Sequence, residues 1–168
     1  LLYELIRDEN CEVTMTIKEM GDEDIQRIMK SKYTVIATDG WGIAPNEIFI
    51  KEKPHPRSYG TYPKVLGEYV REKKVLKLKD AIWKMTGYPA EILDIKDRGR
   101  IREGFYADIV IFNQRKIDDR STYLKPHQFP VGIKYVIVNG KIVVEDNVQM
   151  DILPGRLLKY KGKKRRIQ

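Results

Sequence analysis

The spacing of apolar residues changes along the chain, and each change predicts an element. "EVTMTI", residues 12 to 17, is β-branched and apolar enough for a short strand. "GDEDIQRIMKSK", residues 21 to 32, sets Ile25, Ile28 and Met29 on one face, with acids in the first turn and bases in the last, the order a helix macrodipole favours. "YTVIATDG", residues 33 to 40, is an almost continuous apolar run that ends on Asp39, as suits a strand buried on both faces of a parallel sheet. Strand, helix and strand in that order predict a right-handed βαβ crossover.

Residues 40 to 62 have no steady period but carry three prolines, three glycines and four aromatics, the pattern of a long, ordered, functional loop. "YPKVLGEYVREKK" follows as an amphipathic helix, with Pro63 suited to its first position and Val65, Leu66, Tyr69 and Val70 on one side. "LKLKDAIWKMTG" repeats the pattern, with Gly87 as its C′ residue, and "PAEILDI" predicts a short third helix. Beyond Lys96 the character turns to β. A strand is expected from Ala107 to Phe112, and Asn139-Gly140 between two β-branched runs predicts a type I′ hairpin. An irregular crossing, "QRKIDDRSTYLKPHQFPVG", separates the two.

Composition narrows the picture. The 168 residues allow one domain with a sizeable core or two small ones. No apolar run approaches the roughly 18 to 20 residues of a membrane span; no membrane partner is expected, and the single Cys11 fits a cytoplasmic location. The opening "LLYELIRDEN" reads as a chain entered mid-helix, without the marks of a signal peptide. The net charge of +8 resides in the tail, since residues 156 to 168 hold seven bases and no acid, leaving about +1 for the rest. A solvated, frayed end outweighs a nucleic-acid site there.

Three places could carry chemistry. Asp39, at the C-terminal tip of an expected strand, could ligate a metal or pass a proton, or its carboxylate could close an ordinary turn. His55 and Arg57 in "KPHPRSYGTYP" offer a proton carrier and a planar fork for a carboxylate, with Tyr59 or Tyr62 as pocket lining, unless the motif is a rigid surface loop. His127 in "KPHQFP" reads first as packing, and Cys11 as an inert buried thiol. The sequence contains no P-loop, GxGxxG, CxxC or HExxH motif, and Ser58 and Ser121 lack the glycines of a nucleophile elbow.

Taken together, "ATDGW", "HPRSYGTYPKVLGEYVRE", "DRSTYLKPHQFPVGIKYVIVNG" and "PGRLL" resemble the C-terminal portion of the N-acyl-D-amino-acid deacylases, the D-aminoacylase branch of the metal-dependent amidohydrolases. The stretches "DAIWKMTGYPAEIL", "DRGRIREGFYADIVIF" and "VIVNGKIVV" are similar to the ending shared across that superfamily. The resemblance runs from about residue 3 to residue 158. It implies an α/β chain: the C-terminal strand–helix units of a TIM barrel in residues 1–96, with an active-site loop at 40–62. Part of a composite β-sandwich would follow in 97–155, then the basic tail 156–168.

The same resemblance implies that Asp39 is the catalytic acid–base beside zinc and a shared metal contact, with His55, Arg57 and Tyr59 on the substrate side. The family's main zinc ligands, a Cys and two His from earlier strands, have no counterpart here. The chain alone is therefore expected to retain no zinc and to be inactive. Its expected partners are a small-molecule N-acyl-D-amino acid and, through uncovered barrel surfaces, other copies of itself; nucleic acid is not expected. Two further readings stay open: a non-catalytic binding module with a basic tail, and a cyclic amidohydrolase of the dihydroorotase or hydantoinase kind.

Overall fold

A computed structural model describes residues 1–12, 20–43 and 50–159. In chain order the elements are α1 (Leu2–Asp8), α2 (Asp22–Lys30) and α3 (Arg57–Lys64), which continues as a π-helix, Val65–Glu72. Then come α4 (Leu78–Met85), α5 (Gly87–Ile92), β1 (Ile109–Phe112), β2 (Ile133–Val138), β3 (Lys141–Glu145) and β4 (Val148–Gln149). The chain is thus a mixed α/β structure whose described helices precede a small antiparallel sheet, in the order β1-β2-β3-β4.

The hairpin forms where the sequence predicts it. Val138 pairs with Lys141 across Asn139 and Gly140, whose φ angles of 49° and 78° are those a type I′ turn requires. Asp108 accepts the Asn139 backbone N–H at 2.8 Å, and Arg98, stacked 4.2 Å over the Tyr106 ring, donates to the Asn139 side chain at 2.6 Å. The "DRGR" turn therefore pins the hairpin from outside the sheet.

The core gathers the π-helix, α4 and the crossing: Val65, Leu66, Val70, Ala81 and Ile117 are buried together, with Met29 and Ile36 packed on one side and Phe112 and Ile133 on the other. The crossing is tied down by Arg71, which donates to the Ile117 carbonyl, and by a bridge between Asp118 and Val131. Gly132 is required by this approach. Its φ is +84°, and a Cβ there would stand 2.5 Å from the Ile117 nitrogen.

Several expectations are corrected. Residues 34–38 form no strand, and with them the βαβ crossover disappears; the expected strand at 12–17 lies largely outside the described residues. No parallel neighbour is present among the described residues to pair this segment, so its backbone turns to α4 instead. Ile36 N–H donates to the Lys84 carbonyl at 3.1 Å, and the buried Lys84 ammonium donates to the carbonyls of Ser31 and Thr34. The long loop also ends earlier than expected, at Arg57, because Pro56 already holds helical angles, φ −50° and ψ −28°.

Pro63 accordingly lies inside the helix rather than at its start. A proline there cannot donate to the preceding turn, and the chain beyond it winds as a π-helix. Gly87 does not cap α4. It opens α5, where a Cβ would collide with the Trp83 indole ring. Cys11 is exposed, not buried.

Candidate functional site

The turn at Asp39 and the start of α3 are built against each other. Asp39 has φ 46°, a left-handed conformation that aspartate tolerates better than most residues. Thr38 Oγ1 accepts the Gly40 N–H at 3.2 Å, and Ser58 Oγ accepts the Trp41 N–H, also at 3.2 Å. Gly40 is needed for this contact, since a Cβ would stand 2.8 Å from Ser58 Cα. Arg57 closes the arrangement: its Nη2 lies 3.0 Å from Asp39 Oδ2, and its Nε donates to the Asp39 backbone carbonyl at 2.9 Å. The Asp39 side chain is 86% exposed, so the pair contributes little to stability. What it does is aim a carboxylate.

Helical spacing divides the residues of α3 and the first turn of the π-helix between two cavities. Arg57, Gly60, Thr61 and Lys64 face a cleft of about 550 Å³. Tyr59, Tyr62, Pro63 and Leu66 face a separate, more apolar space of about 820 Å³ against β1 and β2. One wall of the first cleft is apolar, from α2 and residues 35–37; the other carries His55, Arg57, Lys64, Asp119 and Tyr123. His55 and Arg57 are thus brought together, with Asp39 at the Arg57 end, while Tyr59 points away.

Each polar group has a traceable environment. His55 Nδ1 accepts the Arg57 backbone N–H at 3.0 Å, and its Nε2 stands 3.0 Å from the Tyr123 hydroxyl. Burial, and then the charge of Arg57, lower the pKa of His55. The Tyr59 hydroxyl meets His127 Nδ1 at 3.0 Å, and His127 Nε2 reaches the Glu52 carbonyl at 2.7 Å. His127 is therefore a tie between loop and crossing, and burial raises the pKa of Tyr59. Asp119 lies against Gly60 and accepts the Ser121 N–H at 2.8 Å; burial raises its carboxyl above the ordinary range.

Asp119 and Tyr123 escaped the sequence reading, and Ser58 entered it only as a serine without a nucleophile elbow. One signal was present: His55 and Tyr59 are four apart, as are Tyr123 and His127, and the same offset of 68 joins each pair. In the structure this equal spacing corresponds to two histidine–tyrosine contacts of opposite order.

Among the described residues no group of three or more His, Cys, Asp or Glu side chains could hold a metal ion. The Asp39 carboxylate is engaged by Arg57, and His55 and His127 each have both ring nitrogens occupied. These donors do not fit zinc.

The model of the Amidohydrolase family matches residues 23–144, which take in the candidate site, β1 and β2, and all but one residue each of α2 and β3. The chain belongs to the amidohydrolase family. Within it, this chain is D-aminoacylase-like. It is 37% identical over 139 residues to the D-aminoacylase of Alcaligenes xylosoxydans xylosoxydans, a match covering 83% of this chain and 27% of that protein.

Among solved structures it is similar to an aspartate-to-alanine mutant of D-aminoacylase in complex with CuCl2, with a TM-score of 0.75 at 37% identity, covering 83% of this chain and 28% of that one. It is also similar to the N-acyl-D-glutamate deacylase of Bordetella bronchiseptica, complexed with zinc and a phosphonate mimic of the tetrahedral intermediate. There the TM-score is 0.67 at 34% identity, covering 74% of this chain and 25% of the other. This amidohydrolase chain thus spans about a quarter of the length of the relatives it matches.

Proposed function

We propose that this chain supplies the acid–base and carboxylate-facing side of a hydrolase that cleaves the amide of N-acyl-D-amino acids. Residues 1–96 would belong to the C-terminal strand–helix part of its barrel, and 97–155 to its β-sandwich. The observation that carries the reading is the double grip of Arg57 on Asp39, through side chain and backbone, at the edge of a cleft lined by His55. Similarity to deacylases of N-acyl-D-amino acids supports the choice of substrate. Zinc would be held by residues other than those described. This chain's own contribution is to protons and to the substrate's carboxylate.

In this role Asp39 takes a proton as a water oxygen attacks the acyl carbon. It returns the proton to the amino nitrogen as the C–N bond breaks. Arg57 pairs with Oδ2 of this mostly exposed carboxylate, so Oδ1 is the oxygen that carries the proton, and the side chain is aimed because the Asp39 turn, Gly40 and Ser58 are interlocked. Arg57 holds Asp39 through Nε and Nη2, which leaves its Nη1 edge to meet the substrate's carboxylate.

The test is Asp39→Asn in the complete reading frame, assayed for release of D-methionine from N-acetyl-D-methionine. A fall in kcat of about 10²- to 10⁴-fold, the usual contribution of a general acid–base, is expected. Unchanged turnover would remove Asp39 from the reaction.

A further inference from the structure

Two tyrosine–histidine pairs connect the α3 region to the crossing, and their protons run in opposite directions. His55 Nδ1 accepts the Arg57 N–H, so the proton of the neutral ring sits on Nε2 and is donated to the Tyr123 oxygen. His127 Nε2 faces the Glu52 carbonyl, which can only accept, so that nitrogen carries the proton and Nδ1 receives the one from Tyr59. The Tyr59 proton is thus committed to His127. The Tyr123 proton is not: its oxygen is already the acceptor, and no acceptor for its O–H is found among the described residues.

Burial and the Arg57 charge, which lower the pKa of His55, favour the neutral ring that this polarity needs. Tyr123, His55 and Arg57 line the same cleft. The His55 and Tyr123 rings meet edge to face, 5.1 Å apart at 83°, which fixes the hydroxyl in place.

We propose that Tyr123 is a substrate-binding residue whose hydroxyl donates to the carboxylate of an N-acyl amino acid held beside Arg57. This rests on the deacylase reading. The cleft has one apolar wall for a side chain or acyl group, and on the other two cations, Arg57 and Lys64, against the one carboxyl of Asp119, which accepts the Ser121 N–H and whose pKa burial raises. A carboxylate drawn there has two oxygens to satisfy. A phenol whose proton is directed outward by a neutral histidine serves the oxygen that a partly committed guanidinium leaves over.

Tyr123→Phe in the complete reading frame tests the assignment, with N-acetyl-D-methionine and its C-terminal carboxamide as paired substrates. Tyr123 is 55% exposed, so the change leaves the core intact. Loss of one charge-assisted hydrogen bond should raise KM for the acid by roughly ten- to a hundredfold, with kcat held and the KM of the amide unmoved. A role confined to holding His55 would act on both substrates alike. An unchanged KM for the acid, or equal losses on acid and amide, overturns the inference.

The Asp39→Asn result bears on the reaction separately. Should the protein leave N-acyl-D-amino acids intact, calorimetric titration with N-acetyl-D-methionine makes the same comparison through Kd. Weaker binding by the phenylalanine variant then supports Tyr123 as a carboxylate donor, and equal or absent binding by both proteins overturns it.

Discussion

Lys84→Met is the substitution that most directly connects the packing of this chain to its candidate site. Lys84 is only 7% exposed, and its ammonium donates to the Ser31 carbonyl, to the Thr34 carbonyl at 2.8 Å and to Thr34 Oγ1 at 3.2 Å. These bonds, with that of the Ile36 N–H to the Lys84 carbonyl, are what hold residues 31–36 to α4 in place of a strand ladder. Methionine keeps the apolar stem and removes every donor. Two carbonyls then lose a charged partner, at about 1 to 3 kcal/mol each if left dry. Ser31 and Thr34 are partly exposed, so water restores part of this, and burying an ammonium no longer has to be offset.

The expected net loss is about 2 kcal/mol, or roughly 4 to 8 °C in Tm for a chain of this size. Urea unfolding of wild type and variant measures it. A second sign is in the pH dependence. Burial lowers the folded pKa of Lys84 below its ordinary 10.5, so between the two values the unfolded chain holds the extra proton and stability rises with pH. The variant should lack that rise. A loss under about 0.5 kcal/mol, the range of ordinary surface changes, would show that the Lys84 bonds do not hold the segment.

Two further predictions concern the elements around the cleft. Asp22 joins α2 to the π-helix by accepting from Tyr69 at 2.9 Å and Lys73 at 2.8 Å; the hydrogen bond from Lys73, followed by that from Gln26, holds its pKa down to about 2. Its contribution is present above the ordinary value of 3.8 and lost as pH falls towards 2, so Asp22→Asn should flatten the acid limb of stability against pH in that window. An unaltered acid limb would refute this. Gly60→Ala drives a Cβ into the Asp119 carboxylate and should cost about 1 to 3 kcal/mol by thermal unfolding. Gly42→Ala, whose new Cβ would have no described residue beyond its chain neighbours within 4 Å, should stay within about 0.5 kcal/mol, and equal effects at both positions would refute the packing argument.

What the sequence revealed depended on how local the information was. The hairpin at Asn139-Gly140 needs two residues able to hold positive φ, and both are adjacent in the chain. α2 and α4 likewise follow from a repeat readable within a dozen residues. The apolar run at 34–38 is different, because a strand is a relation between two segments and its hydrophobicity speaks only of burial. Ile36 is packed on the core as that hydrophobicity demands, yet its backbone is satisfied by a helix end and a lysine about 50 residues onward. The end of the loop was misplaced for a related reason: Pro56 starts the helix six residues before the apolar face of "YPKVLGEYV" becomes visible.

The candidate site shows the same division at the level of single atoms. Asp39, His55 and Arg57 could be singled out because carboxylate, imidazole and guanidinium declare their chemistry by type. The proton on Tyr123 could not, because a phenol donates or accepts according to its partner. That partner's tautomer is set here by a backbone N–H on Arg57. The pair Tyr59–His127 contains the same two residue types at the same offset and has the opposite polarity, solely because Glu52 presents a carbonyl to the far nitrogen. Residue type told which side chains could carry protons; the direction in which each proton points is a property of the fold. It is that direction which makes Tyr123, rather than Tyr59, the phenol able to donate to a carboxylate beside Arg57.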